Sequence, residues 1–471
     1  ALKTKSLTAI VTLCATLTGC SNDVPVSLTK DAMPPTIEFS QEESQYLYTI
    51  QKGNKMSAED AMNEIFEQTN KSLTRSNNDL QLDGIIYKEE LGTSESSNLL
   101  PDTLAYCFES KSQGQRYIVS ADNRTQQTVL AEINATEEEE MTETGETIKQ
   151  IIRQGVANYV RNEIVKYEIE KDSILHEVKQ KLSALGITDT VTIAKMTRGH
   201  VPGIDEEIIT GEIYTVNEII EDWHEIAYKA PMITVKWRQE SPYNTNLVNR
   251  YGIEGFYVGC VPVAVAQILT YWKNPLYVNG ELVNWTNLTR YDQIPEMFTG
   301  LCEDVANLME AIYDGCGSTH DNIGGLSSIN KARNYFLNIG FNADGVQSYS
   351  SNAIFNSIAN SSPVFMKGVN SNNEKHAWDI DGLYKESKTV RRTTYAYNPD
   401  TDETIILYAR DFTYYNTLFH HNWGWNGHYN GWLTSECFDY MQATTSLPTR
   451  SAVPSSFEYE VAMITNIIPN N

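Results

Sequence analysis

Apolar residues recur at three- and four-residue steps from Glu146 to Leu185, which is the spacing of one face of an α-helix. Gly186 follows this stretch and suits the end of a helix. The pattern predicts one long amphipathic helix, or two helices with a break near Gly155. A shorter helix is predicted after Ser57, which begins a capping-box sequence.

Between these helices lie three segments with the composition of β-strands, at 104–108, 116–120 and 128–133. Together with the shorter helix they predict a small α+β module of ~110 residues. The polar stretch that ends at about residue 45 has the composition of a tether. Residues 187–230 mix Thr, Gly, Pro and acidic side chains without a clear period. This segment is interpreted as a linker of the kind that proteases cut.

The C-terminal half, residues 230–471, is rich in Tyr, Trp, Asn and Gly and contains many short β-like segments. Two helices are predicted in it, at Cys260–Trp272 and at roughly 302–312. Helices and strands therefore alternate irregularly along the whole chain. The expected fold class is α+β.

Charge narrows the possible partners. The 471 residues carry a formal net charge of −25, with −17 on residues 1–229 and −8 on residues 230–471. Binding to nucleic acid is not expected, because neutralising phosphates requires clustered Lys and Arg. Most of the acidity belongs to the N-terminal half.

The first twenty residues have the pattern of a targeting sequence. Lys3 and Lys5 precede an apolar stretch, and Thr18-Gly19-Cys20 follows it. A basic head, a short apolar run and small residues are typical of a signal peptide, and the run is too short to span a membrane. The position of Cys20 resembles a bacterial lipoprotein box, which predicts an exported protein anchored to the membrane through a lipid on Cys20. An ordinary secretory cleavage is the alternative.

The chain has seven cysteines. Cys14 lies in the signal peptide and Cys20 is the predicted lipid carrier, which leaves five. Because five is odd, at least one thiol stays free unless it pairs with another chain. No C-x-x-C sequence occurs, and the count is too low for a disulfide scaffold.

Cys260 is the candidate nucleophile. It follows Gly259 and begins a helix-compatible sequence, so its thiol is expected at a helix N-terminus, where free N–H groups favour an anion. Such a position lowers the pKa of a thiol. The alternative is a small buried apolar residue on the helix face.

Three further residues have the chemistry that such a nucleophile needs. His376 begins a strand-like sequence and could act as the base, although a lone histidine is often structural. Asn422 could accept the Nδ1–H of that histidine while Trp423 shields the bond from water, although both suit a β-hairpin with aromatic packing. Gln239, 21 residues before Cys260, could complete an oxyanion hole with the Cys260 N–H, or could be a surface residue.

A metal site is the competing interpretation of His420, His421 and His428. No carboxylate stands at a recognisable spacing from them. Neither a metal nor a cofactor is therefore expected.

Taken together, the order Gln, Cys, His, Asn is that of papain-like peptidases. The local sequences resemble the streptopain family of papain-like cysteine peptidases in four places: Trp237–Asn244, Gly259–Ile268, His376–Gly382 and Asn422–Gly427. The resemblance covers residues 230–471 well and residues 45–135 weakly. Trp285 and the Gly324-Gly325 loop fall where that family has a Trp and a glycine-rich wall of the cleft.

Two residues depart from the family pattern. Pro262 lies two positions after the candidate nucleophile, where the family has a different residue. His421 replaces an apolar residue and adds a titratable group beside Asn422. Neither change removes a required group.

The resemblance implies a domain order and a function. A signal peptide (1–20) would precede a tether and inhibitory prodomain (21–136), a helical connector with the activation linker (137–229) and a papain-like peptidase domain (230–471). The implied function is an exported cysteine endopeptidase made as a zymogen, which acts on proteins or peptides and is inhibited by its own prodomain. The alternatives are a catalytically idle surface lipoprotein that binds or inhibits a partner, and another amide hydrolase or acyl transferase on the same dyad.

Overall fold

The N-terminal 37 residues, which include the predicted signal sequence, Cys20 and most of the predicted tether, lie outside the part of the chain that the structure describes. The computed structural model describes residues 38–68, 80–91, 99–135, 142–184, 197–200, 207–210, 213–398, 403–439 and 461–470.

Helices occur in both halves of the chain. Within the described ranges they are α1 (Gln41–Lys52), α2 (Ala58–Gln68), α3 (Glu143–Ala184), α4 (Thr245–Tyr251), α5 (Cys260–Trp272), α6 (Trp285–Leu288), α7 (Thr299–Gly315), α8 (Ile329–Asn338) and α9 (Ser351–Ala359).

Strands are short except for the three that span residues 213–229, 375–398 and 403–422. They are β1 (Leu80–Tyr87), β2 (Thr103–Ser110), β3 (Gln115–Ser120), β4 (Val129–Asn134), β5 (Thr197–His200), β6 (Glu207–Thr210), β7 (Ile213–Lys229), β8 (Tyr277–Val278), β9 (Glu281–Leu282), β10 (Thr319–His320), β11 (Gly325–Leu326), β12 (Phe341–Asn342), β13 (Gln347–Ser348), β14 (Val364–Val369), β15 (Lys375–Asn398), β16 (Glu403–Asn422), β17 (Gly431–Thr434), β18 (Ala462–Ile464) and β19 (Ile468–Pro469).

The mixture of helices and sheet confirms the α+β class. The predicted long helix is continuous as α3, without a break at Gly155. A Cβ on Gly155 would lie 2.8 Å from the Phe438 ring, so glycine is needed there for close packing. The tether prediction was wrong at its end, because α1 begins at Gln41. Ser40 and Glu43 form a capping box that starts this helix.

One antiparallel sheet joins the two halves of the chain. Its strand order is β1-β2-β3-β4-β17-β16-β15-β14-β18-β13, with β7 paired to β15. The junction is the β4–β17 pair, in which Ile133 lies opposite Gly431. A Cβ on Gly431 would lie 2.3 Å from the carbonyl oxygen of Glu132, so the two strands approach closely at this position.

The helix α3 packs into the same core as this sheet, and it is not an isolated connector. Ile148 and Val156 of α3 are fully buried in one cluster with Trp378, Trp423 and Phe438. The residues of α1–α3 and β1–β4 are called the N-terminal module below. Its attachment to the C-terminal half is therefore an extensive apolar interface as well as a strand pair.

The segment 213–229 differs from the predicted linker. It forms β7, which pairs with β15 from Ala396↔Ile213 to Leu383↔Lys229. Three register shifts interrupt this pairing, and they explain why no period of two was visible in the sequence. The three strands β7, β15 and β16 are called the arm.

A second core surrounds α5. The helix is buried along most of its length among Trp237, Tyr243, Leu308 and Phe365. Its N-terminus faces the first residues of β15, and this arrangement forms the candidate site. Within the described ranges, no helix has both the length and the apolar composition that crossing a bilayer requires.

Candidate active site

Cys260 is the first residue of α5, as the sequence predicts. The preceding Gly259 has φ 101° and ψ 144°, which an L-residue rarely adopts. A Cβ on Gly259 would also lie 2.5 Å from the carbonyl oxygen of Gly325. Both the backbone conformation and the lack of space therefore require glycine at this position. The turn it forms places Cys260, a partly exposed residue, at the start of the helix.

The Gly324-Gly325 loop forms the wall beside this turn. The Gly325 N–H donates to the carbonyl oxygen of Tyr257, at 3.0 Å, and a Cβ on Gly325 would lie 2.3 Å from the carbonyl oxygen of Val258. The two backbones therefore run in contact. This explains the pair of glycines that the sequence carries at a distance of more than sixty residues from Cys260.

His376 is the second residue of β15, and its side chain is 2% exposed. Its Nε2 lies 2.8 Å from the carbonyl oxygen of Trp423. A carbonyl oxygen only accepts hydrogen bonds, so Nε2 carries the proton and Nδ1 keeps a lone pair. The ring also stacks on the Trp423 indole, with centroids 6.3 Å apart. The histidine is therefore held in one tautomer with a free basic nitrogen.

The backbone brings the thiol and the imidazole to the same place. The helix that begins at Cys260 packs against β15, and the backbone N–H of Ala377, the residue after His376, lies near enough to the thiol to lower its pKa. The start of β15 thus lies directly against the start of α5. The two candidate dyad residues, which are 116 positions apart in the chain, are therefore brought to neighbouring elements.

The expected low pKa of Cys260 was wrong for this form of the protein. Burial raises the pKa of the thiol, and this outweighs the opposing effects of the Ala377 N–H, Lys367 and the first helical N–H groups. Burial also lowers the pKa of His376 to about 4. At neutral pH the pair is therefore an uncharged thiol and an uncharged imidazole.

Asn422 does not have the predicted partner. Its Nδ2 donates to the carbonyl oxygen of Val235 at 3.0 Å, and its Oδ1 accepts from the Gly424 N–H at 3.3 Å. The hydrogen bond expected from the Nδ1–H of His376 is replaced by one from Nε2 to the Trp423 backbone. Asn422 instead fixes the chain on either side of Trp423, so its effect on the histidine is indirect.

Asn430 is a residue that the sequence interpretation missed. Its Oδ1 accepts a hydrogen bond from the Trp423 N–H at 2.9 Å. The Trp423 peptide is thus held through its N–H by Asn430, while the carbonyl of Trp423 holds His376. Residues 423–430 are called the Trp423 loop. The repeated Asn and Gly in this stretch were a signal for such a turn, although they did not indicate its partner.

Gln239 lies beside the nucleophile. Its carbonyl oxygen accepts from the Val258 N–H at 3.0 Å, two residues before Cys260, and its side chain is 6% exposed. Its segment is also tied to α5, because Gln267 Oε1 accepts from the Trp237 N–H at 3.2 Å. Gln267 stands two helical turns after Cys260, on the same face, and the sequence interpretation gave it no role.

Gln267 also reaches the strand that carries His376. Its Nε2 donates to Asp379 Oδ2 at 3.3 Å. Asp379 is fully buried, and burial followed by the nearby Asp381 raises the pKa of its carboxyl group well above the usual value. One glutamine therefore links the Gln239 segment, the Cys260 helix and the His376 strand.

The three clustered histidines have different surroundings, and His428 packs against the Trp425 ring with centroids 4.8 Å apart. His420 Nδ1 lies 2.6 Å from Asp381 Oδ1. His421, on the other face of β16, accepts from the Trp378 indole N–H at 2.9 Å, and burial lowers its pKa well below the usual value. Among the described residues, no group of three or more His, Cys, Asp and Glu side chains is arranged to hold a metal ion.

The cysteines of the described ranges are all free thiols, at positions 107, 260, 302, 316 and 437. Cys107, Cys316 and Cys437 are buried, and burial raises the pKa of each. Cys260 and Cys302 are partly exposed. Of these two, Cys260 is the one at a helix N-terminus.

The N-terminal module contacts both segments that hold the histidine. Asn134 donates through its N–H to the carbonyl oxygen of Asn430 at 2.8 Å, and through Nδ2 to that of Gly427 at 2.9 Å. In the first turn of α3, a Cβ on Gly145 would lie 2.1 Å from the ring of Trp425. The module is therefore fitted against the Trp423 loop.

The loop before His376 is held in the same way. Gln154 of α3 accepts at 3.0 Å from the Ser371 N–H, and Thr147 donates to Glu374 at 3.3 Å. Gln150 accepts from the side chains of Asn370 and Asn372, each at 3.0 Å. These contacts are hydrogen bonds between neutral groups, except where they involve Glu374.

Two comparisons with known proteins give one positive result. Residues 237–433 match the family model described as the Peptidase C10 family. No curated protein matches the chain. The matched range contains Cys260, His376, Gln239, Asn422 and Trp423, and it leaves out the N-terminal module.

Proposed function

Because residues 237–433 belong to the Peptidase C10 family, the streptopain family of cysteine peptidases, we propose that the chain is a cysteine endopeptidase made as a zymogen. The observation that carries the proposal is that a thiol at a helix N-terminus and a histidine of fixed tautomer lie on two elements that pack together. Cys260 and His376 are these two residues. The natural substrates are proteins or peptides.

In the proposed mechanism the free Nδ1 of His376 takes the proton of the Cys260 thiol. The thiolate attacks the carbonyl carbon of the scissile peptide bond, and a tetrahedral oxyanion forms. The imidazolium then gives its proton to the leaving amine, which produces a thioester acyl-enzyme. Water, activated by the same Nδ1, hydrolyses the thioester and restores the thiol.

The oxyanion is proposed to lie between the N–H of Cys260 and the side-chain amide of Gln239. The first N–H groups of a helix have no intrahelical partner, so the Cys260 N–H is available to a ligand. The Gln239 carbonyl bond to Val258 keeps this residue next to the helix start. Donors fixed in advance stabilise developing charge without the cost of reorganisation.

The N-terminal module is proposed to act as the inhibitory prodomain. Two observations support this role: the module packs on the loop before His376 and on the Trp423 loop, and both members of the dyad are uncharged when the module is in place. Removing the module would release both loops, and a histidine more open to water would have a higher pKa. The thiolate–imidazolium pair would then form more easily.

Activation is proposed to cut within the connector upstream of β7. This strand pairs with β15 of the matched domain along most of its length. A cut after residue 229 would have to release a paired strand, whereas a cut between α3 and β7 would not. The arm is therefore expected to stay whole in the active enzyme.

The test is expression of the chain from residue 21 onward, with time-resolved detection of self-cleavage and labelling by a thiol-directed epoxide. Wild type should mature and become labelled, whereas Cys260→Ser should do neither. Cys302→Ser is the matched control, because Cys302 is the other partly exposed thiol of the described residues. This control should behave as wild type.

Two results would contradict the proposed function. If wild type neither matures nor labels, even after the module has been removed by an added protease, the peptidase proposal fails and the idle binding protein is favoured. His376→Ala should fold normally, as judged by circular dichroism, and lose turnover. Normal peptide hydrolysis in that variant would overturn the dyad.

Export and lipid anchoring are a separate proposal, supported by Lys3, Lys5 and the Thr18-Gly19-Cys20 sequence. Cys20→Ala in a bacterial host should release the protein from the membrane fraction. Retention of this variant in the membrane fraction would count against the lipid anchor. The peptidase proposal does not depend on this result.

A further inference from the structure

A pocket outside the candidate active site lies where the N-terminal module meets the arm. Its volume is about 450 Å³, within the usual size range of small-molecule sites. Its floor is one face of the continuous sheet, since Tyr117, Glu132, Trp432, Leu418 and Tyr384 come from five successive strands. The end of α2 supplies further lining residues. Both halves of the chain therefore build this pocket.

Acidic groups and aromatic rings dominate the lining. No Lys or Arg is among the described residues that line the pocket. Five carboxylates contribute to the lining: Glu67, Glu132, Asp222, Glu225 and Glu386. Glu386, Glu225 and Glu132 each contribute, after burial, to raising the pKa of Tyr384. The negative charges thus act on the same point.

Three rings form a wall beside these carboxylates. The centroids of Tyr228 and Trp432 are 6.1 Å apart, those of Tyr228 and Tyr384 are 6.2 Å apart, and those of Tyr384 and Trp432 are 6.3 Å apart. Aromatic faces attract cations, and the attraction grows when the site is shielded from water. A neighbouring ring of the lining already shows this preference, because Lys388 lies over Trp223 at 5.9 Å.

Two buried polar residues, Glu386 and Asn416, include one acceptor atom that has no donor among the described residues. Glu386 is 5% exposed and accepts from the Tyr384 hydroxyl and from Asn416 Nδ2, each at 2.9 Å. Asn416 is 2% exposed, and its Oδ1 has no hydrogen-bond partner among the described residues. Both residues line the pocket. An unsatisfied buried acceptor is costly, so a ligand with several N–H donors would be favoured here.

We propose that this pocket binds a small organic cation that carries alkylammonium or guanidinium groups. The carboxylates and Asn416 would accept its hydrogen bonds, and the three rings would contact its methylene groups and its charge. A bare metal ion is not the proposed ligand, because no three metal-binding side chains of the described residues are suitably grouped. The same chemistry occurs in free polyamines and in the Lys or Arg side chains of peptides.

The position of the pocket gives binding a consequence. Glu67 and Glu132 belong to the N-terminal module, whereas Glu225 and Glu386 belong to the arm. A cation between them would reduce the repulsion across the interface and favour the joined form. This consequence rests on the proposed zymogen, but the binding itself does not.

Binding is tested on the Cys260→Ser chain by calorimetry with spermidine. The comparison solutes are 1,6-hexanediol and MgCl₂, and all solutions are adjusted to the same ionic strength. Saturable binding of spermidine is expected, with no comparable effect of the other two solutes. Glu386→Gln and Tyr228→Leu should each weaken binding about tenfold or more. Glu303→Gln is the matched control, because it removes one exposed carboxylate of α7 and should bind as the parent does.

A dilysine peptide amide distinguishes the two sources of the cation. Tighter binding of the peptide identifies a peptide side chain, tighter binding of spermidine identifies a free polyamine, and both outcomes support the pocket. If neither binds, or if Glu386→Gln and Tyr228→Leu both bind as tightly as the parent, the proposal is overturned. Equal effects of MgCl₂ and spermidine would also overturn it, since that result indicates charge screening alone.

The consequence for maturation has its own measurement. Spermidine should slow self-cleavage of the wild-type chain and leave the rate of Glu386→Gln unchanged. If spermidine binds but does not slow cleavage, the pocket stands and its coupling to the prodomain fails. If no self-cleavage occurs under any condition, the zymogen proposal fails while the calorimetry still decides the pocket.

Discussion

The N-terminal module meets the rest of the chain in two places that differ in chemistry. At the dyad, contact is made by a glycine on an indole ring, by amide side chains and by backbone groups, as at Gly145 and Asn134. At the arm, the two halves enclose a pocket lined by five carboxylates. The first contact is closely packed and mostly neutral, whereas the second is open and carries unbalanced charge.

This difference suggests a division of labour. Neutral hydrogen bonds and packing depend little on ionic strength, while repulsion between partly exposed carboxylates is screened by salt. The contact at the dyad is therefore expected to hold at both low and high salt. The contact at the arm is the one that salt can strengthen or weaken.

Acid should affect the two places in opposite directions, and this is the largest expected effect. Burial lowers the pKa of His376 to about 4, below the usual value of 6.5. The unfolded chain takes up this proton first as the pH falls, so stability is lost between about pH 6.5 and pH 4. The loss is about 3 kcal/mol from this residue alone. Equilibrium unfolding of Cys260→Ser with and without His376→Gln, from pH 7.5 to pH 4, isolates this contribution.

Glu132, which faces the arm from the N-terminal module, should change the stability in the opposite direction. Burial raises the pKa of its carboxyl group, so the folded chain takes up this proton first. Its contribution to stability therefore increases as the pH falls toward the ordinary carboxyl pKa. Glu132→Gln should remove that increase in the same unfolding experiment. Parallel pH profiles for the parent, His376→Gln and Glu132→Gln would contradict the division between the two places.

Gly145→Ala tests the packing at the dyad. The new methyl group would lie 2.1 Å from the ring of Trp425, so α3 or the Trp423 loop has to move. Overpacking of this kind costs about 1–3 kcal/mol. Labelling of Cys260 by a thiol-directed epoxide in the intact chain should become about 5- to 150-fold faster.

Gly300→Ala is the matched control for this substitution. Gly300 also lies in the first turn of a helix, α7, but nothing lies within 4 Å of the position of its added Cβ. Its substitution should leave the labelling rate unchanged and stabilise the helix slightly. Equal labelling rates for the two alanine variants would show that the Gly145 contact does not protect the thiol.

Local signals in the sequence predicted the elements of the fold well. The spacing of apolar residues by three and four positions predicted α3. The helix predicted after Gly259 is confirmed from Cys260 to Trp272. The capping residues Ser40 and Glu43 were also a readable signal for α1, but the polar composition around them favoured a tether. The strand β7 was missed because its bulges break the alternation that identifies strands.

The site was predictable as far as it depends on residue types and not beyond. Cys260 and His376 were predicted from their chemistry and the surrounding motifs, and the structure places them on neighbouring elements, while their catalytic roles stay a prediction. The partner of His376 was not predicted, because a backbone carbonyl such as that of Trp423 carries no sequence signature. The direction of the Cys260 pKa shift was also wrong, since burial by distant segments outweighs the local helix N-terminus.

Asn134→Ala gives the smallest effect and the finest test of the contact at the dyad. Across the interface it removes the hydrogen bond from Nδ2 to the carbonyl of Gly427 and keeps the one from the backbone N–H; within the module it also removes the bond that Oδ1 accepts from Gln115. One such bond contributes about 1 kcal/mol, so Cys260 labelling should become about fivefold faster. Asn162→Ala removes a similar bond, from α3 to the carbonyl of Asp439, outside the Trp423 loop. If both variants speed labelling equally, the module protects the thiol through its overall attachment, and the Trp423 loop has no special part in it.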